Sequence, residues 1–478
     1  MPQTLSTQKP LCVDLDGTLV KTDTFLQALL LLVRTRPATL LSFPRWASGG
    51  LAAFKRRIAQ EVQLDPAVLP YHAEFLEFLK GERKQGRALW LVTASDELPA
   101  RAIAAHLGLF TDVLASDGVT NLKAERKRAA LVDRFGEKGF DYAGNSRDDL
   151  AVWPSAAGVI AVNPSPAVYR SLDLKSVEVY ENRPPRWKIW AKALRVHQWT
   201  KNVLIFLPML LAHELTTPSI YYGAFLAFFA FSFAASAIYI FNDLLDLHAD
   251  QNHPRKKNRP FAAGNLDVSV VVFAIPALVV ASLGISFFLP YSFTAILFLY
   301  LLITTLYSWR LKQLALLDVL TLAGLYATRI IAGTAAYGVE TSSWLIAFSI
   351  SIFFSLALVK RYSELREALR AHPEAIGARG RGYHARHLPW LEGVGIASGV
   401  FSVVVLMCYI NSTKVLQFYS KPAMLWLLCP LLLYWIVRVW ILAVRDKLSD
   451  DPLDFAARDP QTWLIGAISA VVIIVGAI

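Results

Sequence analysis

The acidic run Asn242-Asp243-Leu244-Leu245-Asp246-Leu247-His248-Ala249-Asp250 stands where an apolar stretch ends, and His253-Pro254-Arg255-Lys256-Lys257-Asn258-Arg259-Pro260 follows at once. On a helix turning about 100° per residue, Asn242, Asp246 and Asp250 share one stripe with Asp243 beside it, so four oxygen-bearing side chains can converge on one point. Hard oxygen donors suit Mg²⁺, which keeps several waters and completes its shell from substrate phosphates. Arg255, Lys256 and Arg259 could hold the same phosphates. The plainer reading is a span that ends in a solvated, charged loop. Acids near the bilayer carry insertion costs of about 2.5 to 3.5 kcal/mol each at depth, so three acids in register favour chemistry.

The elements that must position this run are of two kinds. The chain has 478 residues and is 55% hydrophobic, and its mean hydropathy of +0.41 averages two unlike halves. Residues 1 to about 185 read as a soluble protein. From about 200 onward, nine apolar stretches of roughly membrane-spanning length recur: about 202–217, 220–242, 268–290, 292–308, 315–338, 343–359, 392–411, 423–443 and 462–478. The first is interrupted by Pro208 and followed by His213 and Glu214.

The net charge of +11 does not imply nucleic acid, because its location decides otherwise. Arg255, Lys256, Lys257 and Arg259 follow the second stretch, and Arg310 and Lys312 follow the fourth. Lys360, Arg361, Arg366, Arg370, Arg379, Arg381 and Arg386 follow the sixth, whereas only Lys414 and Lys421 occupy the other side. The positive-inside rule then puts the even-numbered span ends and the N-terminal half in the cytoplasm of a multi-pass protein of the cytoplasmic membrane, with the C-terminus outside. Met1 to Pro10 lack a signal-peptide pattern, which agrees. Cys12, Cys408 and Cys429 are too scattered for a disulfide framework or a metal cage.

In the soluble half, Lys9 to Val13 is a short buried-strand pattern that ends in Asp14-Leu15-Asp16-Gly17-Thr18. A second strand, Ala88 to Val92, ends in Thr93-Ala94-Ser95, and a third, Phe140 to Ala143, ends in Gly144-Asn145-Ser146-Arg147-Asp148-Asp149. Strands alternating with helices imply an α/β parallel sheet, whose ligands gather at the carboxyl ends of the strands. All three polar clusters belong to that edge.

This pattern resembles the haloacid dehalogenase (HAD) superfamily over about residues 10 to 165, most specifically in Asp14-Leu15-Asp16-Gly17-Thr18-Leu19. The resemblance implies that Asp14 attacks phosphorus to form an aspartyl-phosphate while Asp16 serves as general acid and base. It implies that Thr93 holds a phosphate oxygen and that Lys123, or else Lys127, neutralises developing charge. Asp149, with Asp148 as a further candidate, would complete a Mg²⁺ site with Asp14 and Asp16. Asn145 stands where the family often has an acid. Residues 22 to 80 look like a helical cap that would exclude water and choose the substrate. The domain is expected over 1–170, with a linker at 171–186 that holds a charged, strand-like stretch and Pro184-Pro185.

Beyond the linker, Trp187, Trp190 and Trp199 alternate with Lys188, Lys192, Arg195 and Lys201, which suits a helix at the headgroups. Residues 187–478 then read as an all-α, nine-helix transmembrane domain. From Arg195 it resembles the UbiA superfamily of intramembrane prenyltransferases, through Asn242-Asp243-x-x-Asp246-x-x-x-Asp250 and the span count. Members bind a diphosphate through Mg²⁺ and take a lipid chain between helices. Most that prenylate an aromatic ring carry a second acidic motif after the sixth span, but here that position reads Lys360-Arg361-Tyr362-Ser363-Glu364. Together with Arg195-x-His197-Gln198-Trp199-x-Lys201-Asn202 and Tyr307-Ser308-x-x-Leu311-Lys312, this looks like the branch that makes polyprenyl-phosphate phosphoribose.

That resemblance implies phosphoribosyl pyrophosphate and a polyprenyl phosphate as substrates. Asp243, Asp246 and Asp250, with Asn242, would hold Mg-diphosphate, and Arg255, Lys256 and Arg259 would grip its oxygens. Lys201, Lys312, Lys360 and Arg361 would take the sugar 5-phosphate or the lipid phosphate. Asp318 could orient a lysine, and Arg329, deep in an apolar helix, needs a partner. The HAD half would then remove the product's 5-phosphate. The alternative is an aromatic prenyltransferase using polyprenyl diphosphate, with an unrelated or inactive HAD half. Prenyl length and oligomeric state are not legible.

Overall fold

The structure, a computed structural model, describes residues 9–171, 177–211, 217–340, 342–371, 382–413, 415–448 and 451–478. His213, Glu214, Arg379, Arg381 and Lys414 lie outside the described residues. The chain folds into two compact units, Met1–Leu194 with Tyr239–Ile275, and Arg195–Ile238 with Pro276–Ile478.

The first unit is built on a six-stranded, all-parallel sheet of β1 (Leu11–Asp14), β2 (Leu89–Asp96), β3 (Asp112–Ser116), β4 (Asp141–Gly144), β5 (Val159–Val162) and β6 (Val177–Tyr180), in the order β3-β2-β1-β4-β5-β6. Both faces are covered, so the strands carry near-continuous apolar runs. Leu11, Val13, Leu89 and Leu91 pack into one core, and Cys12, Trp90, Val92 and Tyr142 into the other. Residues 177–180 fall in the expected linker but supply the edge strand β6, paired to β5 from Val159↔Val177 to Val162↔Tyr180.

Between β1 and β2 the helices Thr24–Thr35 and Gly50–Glu61 form a separate small core of Ala28, Leu32 and Ile58 under Phe25, Phe43 and Phe54. The expected cap of residues 22–80 is therefore shorter. Helix Ala73–Lys84 buries Phe75 and Leu79 against the sheet instead. Asp23 caps the first cap helix by accepting the Leu26 N–H at 2.9 Å.

Among the described residues eight helices are long and apolar enough to cross a membrane, not nine: Pro218–Leu245, Val268–Ser286, Tyr291–Trp309, Leu317–Tyr337, Ser343–Arg370, Ala385–Ile410, Pro422–Val444 and Pro460–Ala477. The stretch expected as the first span is a 3₁₀ segment, Val196–Phe206, followed by the short helix Leu207–Leu211, with Pro208 near its start. In the second unit Leu358, Leu391, Val403, Ile436 and Trp440 form the core. Polar groups inside it are satisfied between helices: Ser355 donates to the Gly395 carbonyl at 2.7 Å and accepts from Trp440 Nε1 at 3.1 Å.

Candidate active sites

In the first unit the three polar clusters stand at the carboxyl edge of β1, β2 and β4. Asp14 pairs in register with Val92, so Thr93 follows directly on the neighbouring strand. Gly17 has φ +80°, and a Cβ there would lie 2.0 Å from Asn145 Nδ2, so only glycine admits Asn145 to the site. Asp16 is held by two donors, the Thr24 N–H at 2.7 Å and the Ser95 hydroxyl at 2.5 Å. The Thr93 hydroxyl oxygen accepts the Ser95 N–H at 2.9 Å.

Of the two candidate lysines, the structure brings Lys127 to the nucleophile. Its ammonium donates to Asp14 Oδ1 at 2.7 Å and to the Tyr142 hydroxyl at 3.0 Å, with Asp149 Oδ1 at 3.7 Å. Lys123 is exposed and pairs with Asp148 at 3.2 Å. Asp149 also departs from its expected role as a metal ligand. Its Oδ1 accepts from Tyr142 at 2.8 Å, and its Oδ2 accepts the Asn145 N–H at 3.0 Å and the Ser146 N–H and hydroxyl at 2.8 Å each. Those bonds fill a carboxylate's acceptor capacity. The open acceptor is Asn145 Oδ1, buried without a partner among the described residues.

Burial pushes the Asp14 carboxyl up to about 7, with Lys127 opposing and Asp149 and Asp16 adding. Two carboxylates, Asp14 and Asp16, with the orphaned Asn145 amide oxygen beside them, are hard oxygen donors whose chemistry fits a cation such as Mg²⁺. Asp14, Asp16 and Asn145 are the residues to hold it.

The acidic run does not close on one point. The helix Pro218–Leu245 ends at the residue before Asp246, which occupies the N-cap position of the short helix Leu247–Gln251 without a side-chain cap bond. Asp243 and Asp250 are both buried and share one cation, Arg259 Nη1, at 3.2 and 2.6 Å. Asp246 pairs instead with Arg34 at 2.5 Å. Among the described residues no three His, Cys, Asp or Glu side chains stand where one metal ion could be held. The oxygen chemistry nevertheless fits such an ion: Asn242 Oδ1 is buried without a partner among the described residues, next to Asp243 in sequence, and arginines supply the positive charge the acids need. The side chains of Arg255 and Lys256 are exposed, and their backbone N–H groups donate to His253 Nδ1 at 3.2 and 3.4 Å.

In the second unit Lys201 and Lys360 meet on one oxygen, Asp451 Oδ2, at 2.7 and 3.1 Å. Burial raises the Asp451 carboxyl, but the ammonium groups of Lys360 and Lys201 outweigh it and hold the group well below the ordinary carboxylate range. Nothing in the sequence reading singled out Asp451. Its signal is the Asp451-Pro452 pair that starts helix Pro452–Arg458, with Asp451 accepting the Leu453 N–H at 3.0 Å.

Arg361, expected on a substrate phosphate, is instead enclosed. It forms a bidentate pair with Asp318, donates to the Tyr307 hydroxyl at 2.8 Å and pairs with Glu364, at 2% exposure. A guanidinium at this burial must be neutralised, and Asp318, fully buried, does it. Arg329 finds the partner it requires in Asn202 Oδ1 at 2.8 Å and the Tyr300 hydroxyl at 3.2 Å. Lys312 lies half-buried in the 3₁₀ turn Leu311–Gln313.

Two family descriptions match this chain: UbiA prenyltransferase family over residues 202–458, and haloacid dehalogenase-like hydrolase over residues 11–152. The uncharacterized protein y4nM of Sinorhizobium fredii is 37% identical over 466 residues, 96% of this chain and 90% of that protein. Nodulation protein NoeC of Azorhizobium caulinodans is 31% identical over 282 residues, 56% of this chain and 87% of that protein. A decaprenyl-phosphate phosphoribosyltransferase of Mycobacterium tuberculosis is 35% identical over 185 residues, 37% of this chain and 61% of that protein. With eight apolar helices and these matches, the chain is a multi-pass membrane protein that belongs to the UbiA prenyltransferase family and carries a HAD-like domain at its N-terminal side.

Proposed function

We propose that the membrane half transfers 5-phosphoribose from phosphoribosyl pyrophosphate to a polyprenyl phosphate, and that the HAD-like half removes the 5-phosphate of the product. The observation that carries this reading is the meeting of Lys201 and Lys360 on a single carboxylate oxygen of Asp451, with Lys360 at the position where a second acidic motif would otherwise stand. Such a site suits a phosphate monoester better than a second metal. The similarity to a protein named decaprenyl-phosphate phosphoribosyltransferase supports the substrate pair.

In the transfer step a phosphate oxygen of the lipid attacks the anomeric carbon, and the bond from that carbon to diphosphate breaks. Asn242, Asp243, Asp246 and Asp250 would hold Mg²⁺ with the diphosphate, and the ion, when bound, neutralises the leaving oxygens. Arg255, Lys256 and Arg259 stabilise the same charge. Lys201, Lys360 and Lys312 bind the remaining phosphate groups, and Arg361 acts from its pairing with Asp318.

In the second step an Asp14 oxygen attacks phosphorus. The sugar 5-oxygen leaves with a proton from Asp16, and water deprotonated by Asp16 then hydrolyses the aspartyl-phosphate. Lys127 neutralises the phosphoryl oxygens, and Thr93 holds one of them. The HAD half would work in the cytosol, on a protein of the cytoplasmic membrane.

The test is to incubate the full chain in detergent with Mg²⁺, labelled phosphoribosyl pyrophosphate and a polyprenyl phosphate. The expected product is a ribosylated lipid, with Asp14→Asn accumulating its 5-phosphate form. Consumption of polyprenyl diphosphate with an aromatic acceptor, and no ribosylated lipid, would replace this reading with aromatic prenyl transfer.

A further inference from the structure

Within the first unit the segment Tyr239–Ile275 is packed on the soluble half rather than free of it. Gly264 has φ +68°, and a Cβ there would lie 2.5 Å from Lys21 Cβ; Lys192 Nζ donates to the Asn258 carbonyl at 2.6 Å. The third tie is Arg34, in the last turn of the cap helix Thr24–Thr35. Its Nη1 donates to the Leu245 carbonyl and to Asp246 Oδ1. Leu30 and Leu31 of the same helix face Leu244, Leu245 and Leu247 across a narrow cleft. Gln251 also lines that cleft, and its Nε2 is buried without a partner among the described residues.

The three acids of the run are thus each engaged by an arginine, but not by the same one. Arg259, which lies on their own loop, engages Asp243 and Asp250, and Arg34, which lies on the phosphatase cap, engages Asp246. Both arginines supply charge that a divalent cation with diphosphate would otherwise supply, so a ligand that recruits Asp246 must compete with Arg34. By linkage, whatever the ligand does to the cap, the cap does to the ligand.

We propose that Arg34 is a positioning residue of the acidic site, holding Asp246 for the phosphatase cap until a divalent cation and diphosphate take that carboxylate and release the cap helix. Donor binding at the transferase run then loosens the lid of the domain that acts on the product. This inference rests on the reading that the run binds Mg-diphosphate.

The experiment uses the full chain in detergent with Mg²⁺ and inorganic pyrophosphate as the probe. It measures probe affinity by calorimetry and amide hydrogen exchange over residues 24–35. Wild type is expected to bind, and exchange in the cap helix to rise severalfold on binding. Arg34→Ala removes one exposed ion pair and so should bind about threefold to fivefold more tightly. Its cap exchange should be high already and insensitive to the probe. Asp246→Asn should lose the cap response. Weaker binding by Arg34→Ala would make Arg34 a direct diphosphate ligand and overturn the proposal, as would binding with no change in cap exchange. Absence of probe binding that Asp246→Asn can alter would overturn the reading of the acidic run as well.

Discussion

The Lys127 ammonium stands 2.7 Å from Asp14 Oδ1 at the centre of the soluble half, in a site where both side chains are buried. This pair links the nucleophile to an enclosed lysine, whereas Lys123, one turn earlier, is turned to Asp148 at the surface. Lys127→Met is expected to cut release of p-nitrophenol from p-nitrophenyl phosphate by about 100-fold or more, and Lys123→Met by less than about threefold. Equal losses in the two variants would contradict the assignment. Far-ultraviolet circular dichroism of each variant controls for folding, because removing one partner of a buried pair costs about 3 to 5 kcal/mol.

Tyr142 is the hinge between that lysine and Asp149. Its hydroxyl accepts from Lys127 at 3.0 Å and donates to Asp149 at 2.8 Å, with no exposure to solvent. Tyr142→Phe keeps the ring in the core and deletes only the oxygen. It should lower phosphatase kcat by about tenfold and stability by about 1 to 3 kcal/mol, because a buried Lys127 N–H loses its acceptor and a buried Asp149 oxygen loses a donor. An unchanged kcat would show that Lys127 needs no such support.

Arg361 and Asp318 give a second test, in the membrane half. Arg361→Met takes the bidentate cation from buried Asp318, and Asp318→Leu leaves the buried guanidinium with Glu364 and Tyr307; each should destabilise by up to about 3 to 5 kcal/mol, read from thermal unfolding in detergent. The double variant should regain most of that loss, because two apolar side chains replace the pair. Persistent loss of ribosyl transfer in the stable double variant would assign the pair a role in the reaction beyond packing.

His72 makes the soluble half acid-sensitive. Burial lowers its imidazole from 6.5 to about 4, Lys21 and Arg183 adding and the Gly17 backbone opposing, with Asn163 Nδ2 3.1 Å from Nδ1. The folded chain keeps the ring neutral while the unfolded chain takes a proton below about pH 6.5. Its contribution is therefore present above pH 6.5 and is lost as the pH falls from 6.5 to 4, up to roughly 3 kcal/mol. Asp14, pushed up to about 7, works in the opposite sense. Comparing His72→Gln with wild type by hydrogen exchange between pH 7 and 5 isolates the histidine. A parallel loss in both proteins would assign the sensitivity elsewhere.

Much of the fold is legible in short windows. The apolar strand ends before Asp14, Thr93 and Asn145 are local patterns, and a parallel sheet must bring such ends to one edge, so those residues meet wherever the chain supplies the crossovers. Long apolar runs likewise mark helices that satisfy their own backbone in lipid, and eight of nine are found among the described residues. The exception, 202–217, carried Pro208 in its middle. Residues 177–180 are strand-like in sequence, but four residues do not say which strand they pair with, so their place at the sheet edge beside β5 comes from the fold.

What only the tertiary structure decided is which charged groups face each other, because that depends on side chains far apart in sequence. Lys123 and Lys127 have the same chemistry, and the start of helix Glu125–Phe135 puts the second one inside. Asp149 has the composition of a metal ligand, yet the turn at Asn145 and Ser146 and the hydroxyl of Tyr142 occupy its oxygens. Arg361 reads as a phosphate cation until Asp318, 43 residues earlier, is found enclosing it. The acidic run of Asn242 to Asp250 is legible as chemistry from its spacing alone. Its division between Arg259 and Arg34 comes from a helix end at Leu245 and from the packing of a distant cap, neither of which residue types at helical spacing can encode.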